Sequence, residues 1–128
     1  MWKDKLMRTG HWLGVWLFWP GVALIVWGEL TPNPPDAVNQ LFGWDKAEHF
    51  TAYFGLAGMA TLALGIRRVL AYAVFGVIAL GGMLEIVQGM TGRDADVFDF
   101  VANTLGALAG AMLGVAILLY LRTGRSRA

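Results

Sequence analysis

The stretch VFDFVANTLGALAGAMLGVAILLYL (97–121) decides the fold class. Asp99 is the one charged side chain in it, and Asn103 adds a second strongly polar group among apolar residues and glycines. An α-helix of about 20 residues crosses the roughly 30 Å hydrocarbon core of a bilayer. The stretch therefore predicts a membrane-spanning helix that carries two polar side chains near its start.

Three further apolar stretches, 11–30, 47–66 and 69–90, are long enough for the same role. The chain is 57% hydrophobic and 15% charged, with a mean hydropathy of +0.56, whereas soluble domains are about 25% charged. We expect the first stretch to be a retained span rather than a cleaved signal sequence, because Trp-Pro-Gly (19–21) replaces a small-residue cleavage site. We predict an all-α polytopic membrane protein: one domain, 1–128, with four transmembrane helices in an antiparallel bundle.

Lysine and arginine residues near the helix ends predict the orientation, since they are enriched on the cytoplasmic side. One side of the predicted bundle receives eight of them, and the other receives Lys46 and Arg93. Both termini are therefore expected in the cytoplasm, with the 31–46 and 91–96 connections outside. The net charge of +1 gives no reason to expect a nucleic-acid partner. The eight are Lys3, Lys5, Arg8, Arg67, Arg68, Arg122, Arg125 and Arg127.

Polar residues from three predicted spans reach similar depths below the outer surface. His49 lies four residues before Tyr53, Glu85 three before Gln88, and Asp99 four before Asn103, so each pair shares one helix face. An intramembrane carboxylate costs a few kcal/mol or more and is expected to face the bundle interior. We therefore predict one outward-opening pocket with Asp96 at its rim. The candidate ligand-binding residues are Asp45, Lys46, His49, Tyr53, Glu85, Gln88, Arg93, Asp99 and Asn103.

Several of these residues also have structural interpretations. Asp96, three residues before Asp99, resembles a capping box, and Gly92 suits a helix C-terminus. Gln88, Asn103 and Tyr53 are also suited to hydrogen bonding between helices. Glu29 and Glu48 lie near a membrane surface and are expected to point to water.

Gly106, Gly110 and Gly114 form two consecutive small-xxx-small steps, which let another helix approach closely. The sequence leaves open whether that helix belongs to the same chain or to a second copy, so a homo-oligomer through these glycines is one expectation.

The residue types restrict the chemistry of the pocket. The chain has no cysteine, and its one serine is Ser126 in the tail, so Ser–His and Cys–His nucleophiles are excluded. A metal centre of His49, Glu85 and Asp99 is open in principle but lacks a recognised spacing, so no metal or cofactor is expected. We favour recognition over catalysis, with Lys46 and Arg93 holding an anionic group.

Polar residues and glycines in and beside the last three predicted spans follow one another in the order Asp45, Lys46, His49, Tyr53, Glu85, Gln88, Arg93, Asp99, Asn103, Gly106 and Gly110. This order resembles the pattern of the VanZ-like membrane proteins. The match covers residues 45–110. The resemblance implies a bacterial cytoplasmic (inner) membrane protein and a link to resistance against teicoplanin, a lipid-bearing glycopeptide antibiotic that binds peptidoglycan precursors.

The resulting hypothesis is a pocket that binds the head of a membrane lipid or lipid-linked cell-envelope molecule. Two alternatives stay open. One is a small proton-coupled transporter or membrane-embedded enzyme that uses Glu85 and His49, and the other is a purely structural polar cluster.

Overall fold

The computed structural model describes residues 1–32, 45–92 and 95–123. They form four helices and, within these ranges, no strand: α1 (Trp2–Leu30), α2 (Asp45–Leu64), α3 (Arg68–Met90) and α4 (Val97–Arg122). The predicted all-α bundle is confirmed. The predicted spans match the helix ends within two residues, except that α1 begins at Trp2 rather than at residue 11 and continues through Pro20.

Local signals in the sequence explain where three of the helices begin or end. Gly65 after α2 and Gly92 after α3 have φ angles of 69° and 81°, a left-handed conformation that glycine adopts without steric cost. Asp96 caps the start of α4, where its Oδ1 accepts a hydrogen bond of 2.8 Å from the backbone N–H of Phe98. The predicted ends at Gly92 and Asp96 are therefore confirmed.

Consecutive helices run antiparallel, so α2 and α4 run parallel to each other. Gly14 of α1 packs against the backbone of Met59 and Ala63 in α2. Gly106 and Gly110 of α4 lie against the backbone carbonyl groups of Phe50 and Phe54 in α2, and α3 packs against both of these helices. The core between the helices contains Tyr53, Leu56, Ala57, Val77 and Ala107.

The outer surface of the bundle is apolar, as expected for contact with lipid. Large hydrophobic side chains such as Trp16, Phe75 and Met112 are more than 70% exposed. Among the described residues, α1, α3 and α4 are long and apolar enough to cross a membrane. These features identify a membrane protein.

Helix α2, with 20 residues, is long enough to cross a membrane. It is less apolar than the other three helices because its first turns contain Asp45, Lys46, Glu48 and His49. It packs against all three other helices. Because protein covers much of α2, its side chains need less hydrophobicity than those of a helix surrounded by lipid.

The two ends of the bundle differ in charge. The start of α1 meets the end of α4, where Lys3 Nζ donates to the carbonyl of Tyr120 at 3.3 Å. His11 Nδ1 lies 2.9 Å from the carbonyl oxygen of Ala63 at the end of α2. Of the described lysines and arginines, only Lys46 lies at the opposite end. The others are Lys3, Lys5, Arg8, Arg67, Arg68 and Arg122.

Candidate binding site

All four helices contribute polar side chains to the end of the bundle that contains Lys46. Exposure falls with depth: the Asp45 side chain is 65% exposed, that of His49 is 11% exposed, and Tyr53 and Asn103 are fully buried. Burial therefore increases along α2 from the rim into the bundle. We call this group the polar cluster. It comprises Glu29, Asp45, Lys46, His49, Tyr53, Glu85, Gln88, Asp96, Asp99 and Asn103.

Lys46 joins α2 to the start of α4. Its Nζ lies 2.8 Å from Asp96 Oδ2 and 3.0 Å from Asp99 Oδ1. The hydrogen bond from Lys46, together with that from the Phe98 N–H, lowers the pKa of Asp96 below its ordinary value. The sequence assigned Lys46 to an anionic ligand, but in the structure this ammonium group neutralises two carboxylates of its own chain.

His49 lies at the centre of the cluster. Its Nδ1 is 3.0 Å from Asn103 Oδ1, and its Nε2 is 3.9 Å from Asp45 Oδ1 and 3.7 Å from Asp99 Oδ2. The ring thereby connects the exposed rim with the buried amide of Asn103.

One carboxylate oxygen of Glu85 accepts a hydrogen bond, and the other has no partner among the described residues. Its Oε2 accepts a hydrogen bond of 3.1 Å from the backbone N–H of Asp96. In a capping box an acid at position 99 would take that N–H, whereas the Asp99 side chain bonds Lys46 instead. The resemblance of Asp96 and Asp99 to a capping box is therefore not realised: Asp96 caps α4 through the Phe98 N–H, and α3 supplies the acceptor for the Asp96 N–H.

Gln88 and Glu29 tie α3 to the end of α1. Gln88 Nε2 donates to the backbone carbonyl of Glu29 at 2.7 Å, one of the last carbonyls of α1 that lack a partner within the helix. The Glu29 side chain is 11% exposed, and its Oε1 lies 3.8 Å from His49 Nδ1. The expectation that Glu29 points to water was wrong, because the antiparallel packing of α1 and α2 brings position 29 level with position 49.

Two buried polar atoms of the cluster, Glu85 Oε1 of α3 and Asn103 Nδ2 of α4, have no hydrogen-bond partner among the described residues. The Tyr53 hydroxyl lies beside the Glu29 carboxyl group. Buried polar atoms are usually paired, since leaving one unpaired costs about 1–3 kcal/mol. Together the two unpaired atoms offer one hydrogen-bond acceptor, on Glu85, and one donor, on Asn103.

Gly81 of α3 provides the space for two buried side chains of the cluster, Tyr53 and Asn103. A Cβ atom at this position would lie 3.0 Å from Tyr53 Cε1 and 3.1 Å from Asn103 Nδ2. Any side chain here would push on both residues, so glycine is needed for the observed packing. No local motif predicts that Gly81 contacts Tyr53 and Asn103.

The structure brings together eight of the nine candidate residues named from the sequence. The ninth, Arg93, lies outside the described residues. Glu29 also belongs to the cluster, although it was not among the candidate residues named from the sequence. The signal for it in the sequence was its position close to the end of the first span.

The three glycines of α4 pack within the chain. Gly106 and Gly110 contact the backbone of α2, and a Cβ at Gly114 would lie 2.8 Å from Thr61 Cβ. All three glycines are buried. Their close partner is therefore α2, and a homo-oligomer through the same face stays a prediction.

Comparison with known protein families, curated proteins and solved structures finds no match for this chain.

Proposed function

We propose that the polar cluster binds the head of a lipid or lipid-linked cell-envelope molecule at the outer surface of a bacterial cytoplasmic membrane. The observation that carries this proposal is the pair of buried atoms without a described hydrogen-bond partner, Glu85 Oε1 and Asn103 Nδ2. A cluster that only held helices together would pair its own buried donors and acceptors. The unpaired set supports a ligand that supplies the missing partners.

Charge indicates which head group suits the site. Among the described residues of the cluster, Lys46 is the one lysine or arginine, and it bonds Asp96 and Asp99. The cluster contains five carboxyl groups, those of Glu29, Asp45, Glu85, Asp96 and Asp99. A head with hydroxyl or amine donors is favoured over one that presents only an anion, because Glu85 Oε1 needs a donor. This changes the expectation from the sequence, in which Lys46 held an anion.

The resemblance to VanZ-like proteins supports an envelope role, and a contribution to teicoplanin resistance is part of the proposal. An amphiphile whose head enters a polar site and whose tail stays in lipid suits a chain with an apolar outer surface and an exposed polar rim.

Native mass spectrometry of the purified protein tests the proposal. Glu85→Gln keeps an oxygen for the Asp96 N–H but replaces the free acceptor with a donor. We expect wild type to retain a co-purified lipid with an amine or hydroxyl head, and Glu85→Gln to retain at least about tenfold less, which corresponds to roughly 1.4 kcal/mol.

Glu48→Gln is the matched control, since it makes the same change on α2 and no hydrogen bond or ion pair joins Glu48 to the cluster within the described residues. Equal lipid retention by wild type and both variants, or no retained lipid with Glu85→Gln merely less stable, would contradict binding and favour a structural cluster.

A further inference from the structure

The rim of the polar cluster contains a second arrangement that lipid binding does not require. His49 Nε2 lies 3.9 Å from Asp45 Oδ1 and 3.7 Å from Asp99 Oδ2, and one ligand atom from each residue lies within 4.8 Å of the others. We propose that Asp45, His49 and Asp99 bind a divalent transition-metal cation of the Zn²⁺ class.

The hydrogen bond on the far side of the imidazole supports metal binding. Asn103 Oδ1 lies 3.0 Å from His49 Nδ1, and because an amide oxygen only accepts, this hydrogen bond forms in the tautomer with the proton on Nδ1. In that neutral tautomer the lone pair is on Nε2, which lies 3.9 Å and 3.7 Å from the Asp45 and Asp99 carboxylate oxygens. Metal-binding histidines have this arrangement, with the second ring nitrogen donating to a fixed acceptor.

In that tautomer Nε2 and the two carboxylate oxygens are three acceptor atoms that repel one another, and a bound cation would remove this repulsion. Ligand atoms around a tetrahedral zinc ion, with bonds of about 2.0–2.2 Å, lie roughly 3.4 Å apart. The two distances from His49 Nε2 are only slightly longer. Asp45 is largely exposed and free to rotate inward, and its position four residues before His49 places both ligands on one face of α2.

The carboxylate of Asp99 is also held from outside the proposed site. Lys46 Nζ bonds Asp99 Oδ1 at 3.0 Å, which leaves Oδ2 directed at His49. Lys46, the nearest described cation, therefore orients Asp99 and does not occupy the proposed metal position. Imidazole nitrogen combined with carboxylate oxygen favours Zn²⁺ over Mg²⁺ and Ca²⁺, which prefer oxygen ligands alone.

Calorimetric titration of the metal-free protein in detergent with ZnCl₂ tests this site. We expect one saturable site per chain, with MgCl₂ binding at least about a hundredfold more weakly. Asp45→Asn changes an exposed proposed ligand and is expected to fold. It is expected to lose at least the roughly tenfold in Zn²⁺ affinity that removal of a group merely supporting a ligand costs. His49→Gln is expected to abolish binding.

Glu48→Gln is again the control and is expected to bind Zn²⁺ as wild type does. Three results would each overturn the site: no saturable Zn²⁺ binding, equal affinity for Mg²⁺ and Zn²⁺, or equal losses in Asp45→Asn and Glu48→Gln. The titration needs no lipid, so its failure leaves the proposed lipid site untouched, and the reverse also holds.

Discussion

Gly81 is a single residue on which the geometry of the buried part of the polar cluster depends. Gly81→Ala places a methyl group about 3 Å from both Tyr53 and Asn103. Because both neighbours are fully buried, we expect the change to lower the free energy of unfolding by about 1–3 kcal/mol. Unfolding of the purified protein in mixed detergent and SDS measures this loss.

Gly76→Ala on the same helix is the control, because a Cβ at position 76 meets no atom within 4 Å. This variant is expected to be as stable as wild type or slightly more stable, since alanine favours helix over glycine. A Gly81→Ala protein as stable as Gly76→Ala would contradict the packing role of Gly81.

For individual residues, the sequence predicted which side chains share a helix face but not which side chains on other helices they contact. The spacings His49–Tyr53 and Asp99–Asn103 follow from helical geometry alone. Lys46, however, meets Asp96 fifty residues later in the chain, and no local rule predicts such a pairing. For this reason the sequence predicted that Lys46 binds a ligand.

The contact between α2 and α4 is the main packing element of the bundle. Backbone meets backbone there, because Gly110 of α4 lies against the carbonyl group of Phe54. Gly110→Ala would force the two helices apart, and we expect a loss of about 3 kcal/mol or more. The same unfolding assay in SDS measures it.

Gly55→Ala on α2 is the comparison, since its Cβ would touch only the flexible end of Met59, at 3.9 Å. A small effect is expected there. If Gly110→Ala unfolds at the same SDS fraction as Gly55→Ala, the close approach of α2 and α4 does not stabilise the bundle.

The helices themselves were largely predictable, because runs of apolar residues, Gly92 and Asp96 mark their positions. The small-xxx-small steps predicted a close neighbour for α4. They did not identify it, since a glycine face fits a helix of its own chain or of another equally well. In the structure that neighbour is α2.

On the scale of the whole molecule, the separation of lysine and arginine between the two ends predicts the orientation in the membrane. The chain has no cysteine, so single cysteines report it directly. In intact bacterial cells, a membrane-impermeant maleimide is expected to label Asp45→Cys. Thr123→Cys is expected to react only after the membrane is opened.

The cysteine-free wild type gives the background for this labelling. Labelling of Thr123→Cys in intact cells, with Asp45→Cys protected until the membrane is opened, would reverse the orientation. The polar cluster would then face the cytoplasm, and an outer-leaflet ligand would be ruled out.

The parallel pairing of α2 with α4 also has a consequence for synthesis of the protein. The ribosome makes α2 well before α4, so the least apolar helix of the four enters the bilayer before its closest neighbour exists. Until then α1, α3 or the insertion machinery has to shield the polar start of α2 from lipid. We expect membrane integration to be completed only when α4 arrives, and a nascent chain halted after α3 to be a preferred target of membrane proteases.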